Sequence, residues 1–259
     1  MKILFVRFAL CAAVVLAALP GYTLRSQQVS KLSAAASVDH SKFDQLLKKY
    51  VNEKGLIDYK AWKASQTGLN QYLAQLSANP PAASWSKAEQ MAYWINAYNA
   101  YTIRLILDHY PVQSIKDIGS KIKIPFVTTP WAVKFFRIGG KKMSLDNIEH
   151  GILRKQYADP RIHFALVCAS LSCPRLRNEA YTAARLDQQL NDQGRDCLSD
   201  PAKNRPGKAE LSKYFDWYKG DWEKNGQSVQ SWVNKYATSK LAPGARVSYL
   251  DYNWNLNEQ

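Results

Sequence analysis

The sequence is sparing with the side chains that build metal sites and disulfide frameworks. It has 4 His and 4 Cys in 259 residues, with no compact two-plus-two spacing among them, so neither a metal nor any other cofactor is expected. No glycine-rich phosphate loop and no Gly-x-Ser-x-Gly elbow occurs, which removes the sequence basis for a P-loop nucleotide enzyme or a serine hydrolase of the elbow type. Basic residues are scattered, as Lys48-Lys49, Lys121, Lys123, Lys141-Lys142, Arg175 and Arg177, and form no long tract. Nucleic acid is therefore a disfavoured partner. Repeats, low-complexity blocks and a convincing internal linker are missing too, so one domain is expected.

What the chain does have is apolar and aromatic residues: a hydrophobic fraction of 46%, 8 Trp and 15 Tyr, enough for a substantial core. Residues 1–28 have the layout of a signal peptide. Lys2 and Arg7 precede an unbroken apolar run from Phe8 to Leu19, which is short for a bilayer span, and Pro20, Gly21 and Thr23 then break it. No clean A-x-A motif fixes a cleavage site, and an uncleaved anchor is the alternative. Export to the periplasm or the exterior is the expectation. Loss of residues 1–28 removes three basic residues and no acid, taking the formal net charge from +14 to +11. A weak attraction to anionic envelope surfaces follows. Residues 29–38 are small and polar and read as a flexible tether, leaving 39–259 as the domain.

Helical stripes are expected over Ser41–Val51, which buries Phe43, Leu46, Leu47 and Tyr50 and is stopped by Gly55, and over about Tyr59–Leu76, before Asn79-Pro80-Pro81. Ser86-Lys87-Ala88-Glu89 is a capping box opening a helix that runs to Pro111, apolar almost all round and so central. Residues 112–131 read as a loop. A hairpin follows, turning at Gly139-Gly140, and Ser144 caps a helix from Leu145 to about Lys155. Asp159-Pro160 leads into a strand, RIHFALV, ending in the loop CASLSCP. Thr182 to about Leu198 is an amphipathic helix and 200–207 a loop. Ser212 and Ser228 cap short helices, and RVSYLDY is a last strand. The expected fold class is α+β: a mainly helical single domain with a small β-sheet or hairpin.

Three places could carry chemistry. On the helix after Ser144, Glu149 falls inside the apolar arc of Leu145, Ile148, Ile152 and Leu153, where a carboxylate must be paired, hydrogen-bonded or neutral. His150 points away from the centre of that arc. Glu149 is either an ion-pair partner at a core edge or, beside a histidine, a general acid or base. In the RIHFALV segment, His163 is either a hydrogen-bonded core histidine or a base, and Cys168 either a small core residue or a thiol projecting from a strand end. Asn96 and Asn99, spaced i,i+3 on the central helix, either tie it to adjoining loops or orient a histidine or a substrate amide. Without Cys11, which lies in the signal run, the cysteines are Cys168, Cys173 and Cys197. A Cys168–Cys173 bridge is possible if the loop bends, and an odd thiol remains.

The segments YWINAYNAYTI, SIKDIG, IGGKKMSLDNIEHGILR, DPRIHFALVCASLSCPRLRNEAY and YLDYNWNLN, in this order, resemble the DUF547 family from about residue 40 onward. The resemblance implies an exported bacterial protein with one mixed, mainly helical domain, and it transfers no activity. Its motifs contain Asn96, Asn99, Glu149, His150, Arg161, His163, Cys168 and Cys173. The chain is also loosely similar to transglutaminase-like thiol enzymes, with Asn on the helix where those carry Cys.

Two classes of function are expected. One is a thiol-dependent hydrolase or acyl transferase. Cys168 would be its nucleophile, His163 or His150 the base, and Glu149 or Asn96 the orienting group. Asn99, Cys173 and Arg161 would lie on the binding side. The other is a non-catalytic envelope module that binds a peptide, glycan or small molecule through Trp62, Trp85, Trp131, Trp217 and Trp222, with Cys168–Cys173 as a structural disulfide.

Overall fold

The computed structural model describes residues 37–119 and 129–259. The expected signal peptide, most of the tether and residues 120–128 of the expected loop lie outside the described residues. All described residues fall in one compact unit, 34–259. The architecture is α+β and mainly helical.

Helix α1 (Ser41–Tyr50) buries Phe43, Leu47 and Tyr50. The single helix expected over 59–76 is instead two, α2 (Tyr59–Ala64) and α3 (Thr67–Ala78), separated at Ser65, whose φ of −141° is not helical. The break serves packing. It lets Trp62 stack on Tyr50 at 4.8 Å while Tyr72 stacks on Phe43 at 4.8 Å, which one straight amphipathic stripe cannot do for both.

Helix α4 (Lys87–His109) is the spine, buried on nearly every face from Met91 to Leu107. Its start is the expected capping box: Ser86 Oγ accepts from the Glu89 amide at 3.2 Å, and Glu89 Oε2 accepts from the Ser86 amide at 2.7 Å. The hairpin of β1 (Phe136–Ile138) and β2 (Lys141–Met143) turns at Gly139 and Gly140, both at positive φ. It docks by stacking Phe136 on Tyr101 of α4 at 3.8 Å.

Ser144 caps α5 (Leu145–Ile148) by accepting from the Asn147 amide. The chain then widens into a π-helical turn, Glu149–Leu153, before α6 (Arg154–Gln156). Such turns insert a residue into the helical repeat and re-aim side chains. Leu145, Ile148 and Leu153 remain buried as the periodicity predicts.

The expected strand RIHFALV is not a strand. Residues Ile162–Ala165 form a helical turn, α7, entered through Asp159, whose side chain accepts from the Arg161 amide at 3.0 Å. The extended residues after it find side-chain partners in place of a neighbouring strand, since Asn99 accepts from the Val167 amide at 3.0 Å and donates to the Ala165 carbonyl at 3.0 Å. A short apolar run reads alike for either element by periodicity alone.

Helices α8 (Leu186–Ser199), α9 (Tyr214–Trp217), α10 (Lys219–Trp222) and α11 (Val229–Tyr236) surround a second, smaller core of Phe164, Phe215, Trp222, Val233 and Tyr236. Ser228 caps α11 as expected. The last expected strand shrinks to β4 (Ser248–Tyr249), parallel to β3 (Glu210–Leu211). Beyond it, the chain laces distant parts together. Leu171 donates to Asn255 at 2.9 Å, Leu256 to Gln113 at 2.8 Å, and Gln259 to Ile57 at 3.0 Å. Among the described residues no helix is long and apolar enough to cross a membrane.

Candidate functional site

A cleft of about 400 Å³ opens where α4, the π turn, α7, the loop after it and α9 meet. The π turn brings Glu149 and His150 to it, α7 brings His163, and the chain leaving α7 brings Cys168. Four of the residues expected to carry chemistry therefore share one cavity. Trp131, Trp217, Tyr218 and Trp254 form aromatic walls.

His163 is almost fully buried, and its ring stacks on Tyr218 at 3.7 Å. Its Nε2 lies 2.9 Å from Asp221 Oδ2. Asp221 also receives Arg154 Nε at 2.5 Å and Lys224 Nζ at 2.7 Å. Burial opposes ionisation of Asp221, but the hydrogen bonds from His163, Arg154 and Lys224 outweigh it and hold the carboxyl far below the usual carboxylate range. Burial pushes His163 below its ordinary value, with the Asp221 bond opposing, so the ring is neutral near pH 7. An ionised carboxylate only accepts, so the Nε2 proton points to Asp221. Nδ1 is left as the lone-pair nitrogen, 4.0 Å from Glu149 Oε1. His150 also neighbours Glu149: its Nδ1 lies 3.9 Å from Oε1 and 3.1 Å from Arg154 Nη1, and its Nε2 lies 3.7 Å from Asp146 Oδ1. Burial raises Asp146, His150 opposes, and Glu149 adds to the rise.

Cys168 and Cys173 are both free thiols. The loop between them starts with Ala169 at φ 58°, a left-handed conformation unusual for alanine. The turn sets Cys168 Sγ 3.3 Å from Ser170 Oγ and 3.2 Å from Tyr252 Oη, and places Cys173 Sγ as acceptor of the Cys168 amide at 2.8 Å. Tyr214 Oη is 3.0 Å from Cys173 Sγ and 3.6 Å from Cys168 Sγ. Burial would raise both thiols. For Cys173, the hydrogen bonds from Cys168, Tyr214, Tyr252 and the Cys168 amide prevail and bring it down to about 6. Cys168 is pushed up by burial and by its bond to Cys173. The hydrogen bonds thus favour the charge on the inner sulfur, Cys173, over Cys168, whose sulfur faces the cleft.

Three expected residues are engaged elsewhere. Asn96 clamps Tyr181, donating to its carbonyl at 2.8 Å and accepting from its amide at 2.9 Å. Asn99 clamps Ala165 and Val167 in the same way, which uses both ends of its amide. Arg161 pairs with Asp159 at 2.7 Å and Asp187 at 2.6 Å and does not line the cleft. Of the tryptophans expected at a binding surface, Trp62 and Trp222 are core residues and Trp85 is buried, whereas Trp131 and Trp217 line the cleft.

Sequence reasoning missed Asp221, Tyr214, Tyr218, Tyr252 and Trp254. An aspartate set among aromatics in DWYKGDW was the available hint for Asp221. Tyr252 and Trp254 stand in the YLDYNWNLN motif. Among the described residues no group of three or more His, Cys, Asp or Glu could hold a metal ion.

No curated protein and no solved structure gives a significant match to the chain. The stretch that carries Glu149, His150, His163, Cys168 and Cys173 also carries the resemblance: the chain resembles the family described as protein of unknown function, DUF547, whose model matches residues 82–198.

Proposed function

We propose that the cleft is the active site of a thiol-dependent hydrolase or acyl transferase in which Cys168 is the nucleophile. The observation that carries this reading is the thiol pair. A half-buried cysteine facing a 400 Å³ cavity is bonded to a second cysteine held near pKa 6, so its proton has somewhere to go. No hydrogen bond joins Cys168 to His163 or His150; its partners are Cys173, Ser170, Tyr214 and Tyr252. The base for the thiol is therefore Cys173 rather than an imidazole.

In the first step Cys168 passes its proton to Cys173 and its sulfur attacks a carbonyl carbon. The C–X bond breaks, X leaves with the proton that Cys173 received, and a thioester remains. Water or another acceptor then attacks the thioester, giving its proton to the lone pair of His163 Nδ1, while Asp221 steadies the imidazolium that forms. The C–S bond breaks with its electron pair going to Cys168, and the imidazolium proton restores the thiol. The signal-peptide layout of residues 1–28 supports placing this chemistry in the periplasm or outside the cell.

A non-catalytic binding module is the second reading, favoured by the aromatic walls, above all Trp217, which is 44% exposed. Phenyl thioacetate separates the two. The thiol reading expects a burst of thiophenol equal to the enzyme concentration and a 42 Da adduct on Cys168 by peptide mass spectrometry, about as expected for an acetylated nucleophile. Both should vanish in Cys168→Ala with its fold intact. A wild-type chain that gives neither burst nor adduct is the binding module.

A further inference from the structure

The chain is strongly basic, with a formal net charge of +14, yet among the described residues lining the cleft there is no lysine or arginine. The charged groups there are Asp146 and Glu149, with His150 and His163 beside them. Glu149 is 5% exposed. Its carboxylate accepts from the Tyr218 hydroxyl, while the ring nitrogens of His150 and His163 stand at 3.9 and 4.0 Å, outside hydrogen-bond reach. A carboxylate has about four acceptor sites, so this buried one keeps unused capacity toward the cavity. The same cleft is lined by indoles, with Trp217 stacked on Trp254 at 5.8 Å and 23°. An ammonium is attracted to such a face, and the molecule supplies its own instance outside the cleft lining: Lys116 Nζ lies 4.8 Å from the centre of the Trp254 ring.

We propose that the cleft binds a primary ammonium group between the Glu149 carboxylate and the Trp217 face, and that this amine is the acceptor in the acyl transfer. The transfer step rests on the thiol reading; the binding does not. The ammonium gives one proton to Glu149, and its nitrogen attacks the thioester carbonyl. The C–S bond breaks with its electron pair going to Cys168, and the second nitrogen proton restores the thiol. Glu149 releases its proton to solvent, and the products are an amide and the free enzyme.

Binding is measured by ligand-observed NMR titration on the full chain carrying Cys168→Ala, with n-pentylamine, 1-pentanol and chitotriose as probes. Pentylamine should bind and pentanol should not. Glu149→Gln should weaken pentylamine roughly tenfold or more. Trp217→Ala, at a position 44% exposed, should weaken it about fivefold. Equal binding of amine and alcohol, a response to neither variant, or binding of chitotriose alone overturns the ammonium site. In the wild type, phenyl thioacetate with pentylamine should yield N-pentylacetamide at the expense of acetate. A thiophenol burst without the amide overturns the acceptor role and leaves the thiol reading standing. A missing burst beside intact pentylamine binding removes the thiol reading and the transfer, and keeps the ammonium site.

Discussion

At the scale of single residues, the site turns on which sulfur carries the charge. Cys173 is 2% exposed and accepts hydrogen bonds from an amide and from Tyr214, donors that no exposed thiol would hold in place. Cys168 is raised by burial, so alone it would be almost wholly protonated near neutrality. The reaction that reaches solvent needs the sulfur that faces it, and the proton balance between the two supplies that form. Cys173→Ser removes the acceptor of the Cys168 proton and keeps a hydroxyl beside the Cys168 amide. Alkylation of Cys168 by iodoacetamide at pH 7 should then slow roughly tenfold or more, and the midpoint of its rate–pH profile should move upward from near 6. If the rate–pH profile of Cys168 is the same in the variant and the wild type, Cys173 is not the base.

At the scale of elements, the helix α4 holds the site without entering it through its asparagines. Asn96 and Asn99, one turn apart, each grip a backbone carbonyl and amide of a segment that has no strand to pair with. Asn99→Leu is close in volume but leaves the Ala165 carbonyl and the Val167 amide buried and unsatisfied, at a cost of about 2–4 kcal/mol. Chemical denaturation should show a loss of that size, together with slower Cys168 alkylation, because Val167 is its chain neighbour. A stable variant with unchanged thiol reactivity would mean that the clamp does not position Cys168.

The asparagines also mark the limit of what the sequence could tell. Poor helix formers in an apolar helix announced buried hydrogen bonds, and the Gly-Gly turn and the Ser86 box were local signals that survived folding. What those asparagines bond to was not local, and neither was the pairing of His163 with Asp221, 58 positions away, or of Cys168 with Tyr252, 84 positions away. The helical turn at 162–165 was unreadable for the same reason. Alternation along a short apolar run says nothing about whether a partner strand exists.

At the scale of the whole molecule, two histidines at separate cavities bind folding to pH. His40 stands at the entrance to α1, its Nδ1 2.7 Å from Tyr72 Oη, and burial lowers it to about 4. His163, beside the cleft, is lowered too. In the unfolded chain each takes up a proton near pH 6.5. The folded chain refuses that proton until the pH is lower, for His40 about 4, so the unfolded state binds more protons throughout the interval and stability falls as pH drops through it.

The carboxylates act in a separate window. Glu179 is brought down to about 2, burial opposing and the bonds from Arg177, Gln189 and Arg185 prevailing, so its contribution is complete above the ordinary carboxylate range and is lost as the pH falls from there through about 2. Urea denaturation at pH 7.0 and 4.5, compared between the wild type and a His40 variant, therefore isolates that histidine from the carboxylates. His40 alone accounts for about 2 kcal/mol of the difference, at about 1.4 kcal/mol per pH unit. His40→Asn keeps a polar group within reach of Tyr72 but has no proton to take up, so the difference between the two pH values should shrink by about that amount. His163, still present, keeps the remaining slope. A variant whose loss between pH 7.0 and 4.5 equals that of the wild type would show that His40 is protonated in the folded chain as readily as in the unfolded one.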